Sequence, residues 1–241
     1  MKKTARARLR QVRKRCAQAS GLLLALALVG LATACAREPS DKELRTLATS
    51  PEAESLRARE EQQMRTLVQR VTAVEGLEHV LTRFTDFCNR PTKRSVFENY
   101  QSPYVLECRM QTVAYFGIRG DITDVLPRIP TPGIDTWAQQ VAGAVQYHHA
   151  RGRSADGSLI PAPALQAPGI RIEWDLPQPL PRQVQELIPC PSDGRAIYQR
   201  CTTVPAATLS VAAARAKYRT ILSVTLDHAT SPAYYYTVPR P

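Results

Sequence analysis

Two periodicities organise the chain. From Tyr104 to Ile118, Leu106, Cys108, Met110, Ala114 and Phe116 alternate with Glu107, Arg109 and Gln111, the pattern of a half-buried β-strand. Ahead of it, Met64, Leu67, Val71, Val74, Leu77, Leu81, Phe84 and Cys88 recur at intervals of three or four, with Arg65, Gln69, Arg70, Glu75, Glu78 and Arg83 between them. That spacing predicts one long N-terminal helix. Ser50 as N-cap, Pro51 at the first helical position and Glu52 in the first turn mark its start. Gly76 interrupts the stripe and allows a bend or break, at about 1 kcal/mol relative to Ala. The breadth of the stripe and its end at a cysteine favour packing on a sheet over a coiled-coil partner helix.

Downstream the signals are shorter. Asp121, followed by Asp124, can cap a helix that Pro127 limits to one or two turns. Over residues 134–149, Asp135, Trp137, Val141 and Val145 suit a helix while Val141, Gly143, Val145 and Tyr147 suit a strand, so a short helical start followed by a strand is expected. Arg151 to Gly169 is rich in Gly, Ser, Pro and Ala and reads as a long loop. Ile170, Ile172 and Trp174 alternate with Arg171, Glu173 and Asp175 as a strand. Arg182 to Ile188 can hold one helical turn. Pro205 to Lys217 is alanine-rich and helical, and Ile221 to Asp227 and Ala233 to Val238 read as strands joined by a short loop. The sum is an α+β domain: a mostly antiparallel sheet covered by the long helix and shorter helices.

The N-terminus follows a different logic. Eight Lys or Arg and no acidic residue precede an uncharged apolar run from Gly21 to Ala34, an n-region and an h-region. The run falls short of the roughly 20 residues a membrane-spanning helix takes. Ala32-Thr33-Ala34 is a small-x-small cleavage site, and Cys35 follows it. Thr33, Ala34 and Cys35 match the lipobox, with Ala32 standing where Leu is usual, and the segment resembles the signal of bacterial lipoproteins. The resemblance covers the first 35 residues. It implies a signal peptide at 1–34 and an acylated Cys35, with a membrane-anchored protein on the extracytoplasmic face; cleavage by the ordinary signal peptidase would instead give a secreted chain. The polar stretch to residue 50 is expected to be a flexible tether, leaving 51–241 as one domain.

Cysteines and charge refine this picture. Cys16 leaves with the signal, and if Cys35 carries lipid, the remaining Cys88, Cys108, Cys190 and Cys201 can pair completely. Cys88 with Cys108 would clip the helix end to the strand, and Cys190 with Cys201 would close a local turn around Ser192-Asp193-Gly194. Zinc is disfavoured because no C-x2-C knuckle occurs. The signal holds 8 of the 32 basic residues and none of the 21 acidic ones. The mature part therefore carries 24 basic against 21 acidic residues, a net +3 rather than the whole chain's +11. Those charges are interspersed, so nucleic acid is not an expected partner.

The candidates for chemistry each have a plainer explanation. His148-His149 near Asp156 would point to opposite faces of a strand rather than converge on a metal. Gly152-Arg153-Ser154-Ala155-Asp156-Gly157 has one residue too many for a nucleophile elbow. Asp121 and Asp124 are explained by capping, and His79 beside Glu78 by a surface ion pair. Tyr234-Tyr235-Tyr236 forces at least one ring outward, as an edge-strand residue or a ligand-facing aromatic. No catalytic, cofactor or metal-binding residue is assigned. The expected function is a monomeric, non-catalytic binding or structural module of the cell envelope; the alternative is an extracytoplasmic hydrolase with a site assembled from scattered residues.

Overall fold

Ser40 starts the first helix. In the computed structural model, which describes residues 37–91, 102–129, 137–159, 165–175, 184–187, 190, 196–205, 210–227 and 234–241, α1 spans Asp41–Ala48. Ser40 Oγ accepts from the Glu43 backbone N–H at 3.3 Å, and Glu43 Oε2 accepts from the Ser40 N–H at 2.6 Å. This reciprocal capping box, with Leu44 and Ala48 buried, makes a packed helix of residues expected in a tether. The signal segment and Cys35 lie outside the described residues.

Helix α2, Pro51–Thr72, begins as anticipated, with Ser50 Oγ accepting from Ala53 N–H and proline in its first turn. Its buried residues Ala53, Arg57, Glu60, Met64, Val68 and Val71 recur with the helical period. The helix stops there. Residues 73–76 turn, Gly76 takes a φ of +91° that disfavours any side chain, and Leu77–Asn89 is strand β1. The expected helix over 64–88 is thus corrected to a helix, a turn and a strand. The later part is rich in residues that suit a strand, with Val80, Thr82, Phe84, Thr85 and Phe87.

Strand β2, Tyr104–Ile118, is the spine. One edge pairs antiparallel with β1 along its length. On the other edge, two short strands lie end to end: β6 (Thr220–Leu226) against Thr112–Ile118, and β7 (Tyr236–Pro239) against Tyr104–Cys108. A strand of 15 residues extends about 50 Å, long enough for both. The remaining strands are β3 (Leu165–Ala167), β4 (Ile170–Trp174) and β5 (Tyr198–Val204), giving the order β3-β4-β6-β2-β1-β5, every pair antiparallel. The α+β class and mainly antiparallel sheet are therefore as expected. Strand β3 lies within the stretch expected to be loop, and β5 is a strand for which the sequence raised no expectation. The last two strands both pair with β2 rather than with each other.

One face of the sheet is buried under helices. Phe84, Met110, Ala114, Phe116 and Trp174 form a core with Leu44, Met64 and Val68 of α1 and α2 and with Val141, Ala144 and Tyr147 of the helix Trp137–His149. Helix α4 runs Trp137–His149 without the expected strand. Between β2 and α4, α3 is the short Ile122–Val125 helix, capped by Asp121 as expected and followed by a 3-10 turn through Pro127. The opposite face is covered at one end by α5, Val211–Lys217, where Val211, Ala214 and Tyr218 pack on Leu81, Tyr115 and Ile221. Gly117 makes this approach feasible, since a Cβ there would lie 2.2 Å from the Tyr218 ring.

Both disulfides form, Cys88–Cys108 and Cys190–Cys201. The first joins residues directly opposite on β1 and β2, with Cα atoms 4.0 Å apart. It staples two strands rather than a helix to a strand.

Burial lowers the pKa of both His79 and His148. His79 lies on β1, its Nε2 2.7 Å from Thr82 Oγ1, and not on a helix surface beside a carboxylate. A folded-state pKa below the unfolded value of about 6.5 favours the neutral ring. The resulting stability is present above that pH and is lost as pH falls through the folded value. The unfolding midpoint is therefore expected to drop on acidification from pH 7.5 to 5. Replacing His79 by Gln and His148 by Asn should flatten that drop; an equal drop in the double variant would refute the assignment.

Candidate functional site

Alternation along the strands gives the second face of the sheet a polar surface, because every residue between two core residues must point there. The register assembles it in rows. Gln199, Phe87 and Arg109 make the first row, across β5, β1 and β2; Cys201, Thr85 and Gln111 make the next. Thr203, Arg83, Val113, Thr225 and Arg171 follow, then Leu81, Tyr115, Ser223 and Glu173. Helix α5 covers the last of these rows at Leu81 and Tyr115 and the end beyond. Over the earlier rows lies a groove of about 580 Å³, lined by Arg83, Phe87, Arg109, Gln111, Gln199 and Thr225 among others. A second depression of about 570 Å³ extends it over β4 and β3, sharing Gln111, Glu173, Gln185 and Thr225.

A strap lies across this face. Arg215 of α5 donates to Asp175 through Nε at 2.7 Å and to the Val184 carbonyl, while Val184 N–H donates to Asp175 Oδ1 at 3.3 Å. Tyr115 OH donates to the Gln185 carbonyl at 3.3 Å. Residues 184–187 are not helical, so the turn expected over 182–188 is absent from its described part. Further on, Cys190 is bonded to Cys201 of β5. The strap is thus held over β2 at Gln185 and on β5 at Cys190.

Charges in the groove are unevenly partnered. Glu173 pairs with Arg171 at 2.5 Å and Glu186 with Arg215 at 3.5 Å. On the Arg109 side, Glu107 accepts from Ser102 Oγ at 2.7 Å. Arg83 donates to Thr203 Oγ1 at 3.4 Å. The exposed Arg109 guanidinium stacks 4.3 Å over the Phe87 ring and has no carboxylate partner among the described residues.

On the helix side, a polar network sits inside the core. Asp86, 1% exposed, accepts from Arg57 Nε at 2.5 Å and from Tyr235 OH at 2.7 Å. Arg57 also donates to the Ala48 carbonyl at 2.8 Å and lies 4.2 Å over the Tyr198 ring. Burial raises the pKa of both Asp86 and Tyr235, and the Arg57 guanidinium opposes both shifts. The network ties α1, α2, β1, β5 and the C-terminal segment together and is closed to solvent. It also gives the tyrosine run its explanation, since the middle ring points into the core.

The residues weighed from sequence are dispersed. His148 and His149 end α4 with ring centroids 6.4 Å apart, and no group of metal ligands occurs among the described residues. Asp156 accepts from Ser154 Oγ, Ser158 N–H and Ser158 Oγ, which hold its carboxyl at about 2 in a tight turn. Ser154 therefore donates to a carboxylate within the turn. Glu78 pairs with Arg119 and Lys217 rather than with His79. Periodicity missed the groove because its residues come from five strands and the strap. Compared with known protein families, with curated proteins and with solved structures, the chain matches none.

Proposed function

We propose that the chain is a lipid-anchored binding module of the cell envelope, held through Cys35 on the extracytoplasmic face, with the sheet groove as its ligand surface. The observation that carries the binding role is the groove itself. Its volume of about 580 Å³ lies within the roughly 300–1,000 Å³ of ligand sites, and its rim offers a cation without a carboxylate partner among the described residues. Two disulfides fit an oxidising compartment. Among the described residues no helix is long and apolar enough to cross a membrane, and the anchoring role falls to the acyl chains.

Two experiments test the two halves of this reading. Cys35→Ser is expected to move the protein from the membrane to the soluble fraction or the medium; retention on the membrane after a high-salt wash refutes the anchor. A photo-crosslinking residue in place of Gln111, in the groove, should give adducts in intact cells that the same residue in place of Arg70, exposed on α2, does not. Equal labelling from both positions would remove the groove from the function.

A further inference from the structure

Resting on the lipid-anchored reading, we infer that the domain stands on the bilayer surface at its α1 end, with lipid headgroups as the partner of that end and the Gly76 turn directed away from them. The start of α1 at Ser40 limits how far the domain can stand off. A tether running to residue 50 would give 15 residues after Cys35, which extend up to about 54 Å. Instead, Ser40 caps α1 five residues after Cys35, and the helix is fixed by burial of Leu44 and Ala48 and by Arg57 donating to the Ala48 carbonyl. Five residues reach at most about 18 Å. Acyl chains hold Cys35 at the base of a headgroup layer about 5–8 Å deep. Ser40 is then no more than about 10–13 Å clear of the headgroups, roughly one helix diameter.

The contacts of α1 identify the end of the sheet that lies beside the membrane. Asp41 Oδ1 accepts from Arg90 Nε at 2.9 Å, and Arg90 immediately follows the last residue of β1. At the same end β2 begins at Tyr104, where Arg240 donates to the Ser102 and Tyr104 carbonyls at 3.3 and 3.4 Å. The other end of β1, at Leu77, lies twelve residue steps away, about 41 Å. Helix α2 runs the same way: Arg57 meets Asp86, Met64 meets Thr112 further along, and the Gly76 turn follows. Nothing on α2 draws it flat onto lipid. Its fully exposed charges are Glu52 and Glu54 against Arg59 and Arg70, and no aromatic or large aliphatic side chain is fully exposed on it. A helix that lies in a lipid surface combines a basic face with an apolar one. The groove's first row, at Phe87, is two residues in from the membrane end of β1, so its ligand is met close to the bilayer.

The test uses the exported full chain, purified from membranes in detergent and reconstituted into phosphatidylcholine vesicles that carry an energy-transfer acceptor on their headgroups. A fluorescent amino acid replaces Lys42, Gln63 or Glu75, each of them exposed; near-native unfolding midpoints establish that the three variants are folded. Transfer is expected to be largest from position 42, intermediate from 63 and smallest from 75. Fifteen Gly and Ser residues inserted after Ala36 add about 20 Å of mean reach, and they should lower transfer from position 42 and erase the ordering. Equal transfer from all three positions, or the reverse order, overturns the stance on the α1 end. Transfer that the insertion leaves unchanged overturns the short tether as its cause. A chain that does not float with the vesicles removes the lipid anchor and this inference with it, whereas flotation with equal transfer removes the inference alone and leaves the anchor standing.

Discussion

Arg57→Ala is expected to destabilise the domain by about 3–5 kcal/mol, the usual consequence of leaving one partner of a buried ion pair without the other. Among the described residues, Asp86 would keep only the Tyr235 hydroxyl as a charge-stabilising neighbour at hydrogen-bond distance, in a site 1% exposed. The Ala48 carbonyl would lose its guanidinium donor, loosening the junction of α1 and α2. Urea unfolding measures the effect. Against a typical total of 5–15 kcal/mol, such a loss leaves a marginal fold. The double variant Arg57→Met, Asp86→Leu removes both charges, and it should recover much of the loss because the buried pair itself contributes little net stability. A loss under about 1 kcal/mol in Arg57→Ala would mean that water reaches Asp86 and that the network is open.

Leu81→Asp should cost several kcal/mol as well, by placing a carboxylate with no designed partner where Leu81 is 0% exposed. Leu81 packs against Tyr115, Val211, Ala214, Tyr218 and Ile221, under α5. The control is Arg70→Asp on the exposed side of α2, expected to change stability by well under about 1 kcal/mol. Thermal unfolding with the disulfides intact compares the two. An unchanged midpoint for Leu81→Asp would show that α5 is not seated on the sheet.

Leu81 also shows why sequence periodicity failed at β1. The intervals separating Leu77, Leu81, Phe84 and Cys88 suit a helix, yet in the strand Leu81 faces α5 while Phe84 and Cys88 face α2. An apolar residue on each face produced a helical spacing. The period of two was hidden further because Asp86 is polar and buried while Phe87 is apolar and lies on the groove side. Local chemistry was a better guide. Ser50, Asp121 and the two cysteine pairings could be read from neighbours in sequence, and so could α1, since Ser40-Asp41-Lys42-Glu43 is a capping-box pattern. The groove had no such signal. Its parts meet only through sheet order, which depends on β2 being long enough to accept two short strands on one edge.

The two disulfides differ in what a thiol in solution can reach. Cys88 and Cys108 are both 0% exposed, on the sheet face under the helices, whereas Cys190 is exposed and Cys201 half-buried. Exchange requires a thiolate to approach a sulfur in line, so a mild reductant attacks the outer pair first. It then frees one end of the strap while the central strands stay stapled. Such material would keep its secondary structure, its size and most of its thermal stability, and would pass every routine check of folding with its groove altered. A purification that carries thiol reagents by habit can therefore yield a sound-looking protein whose binding measurements describe a different surface.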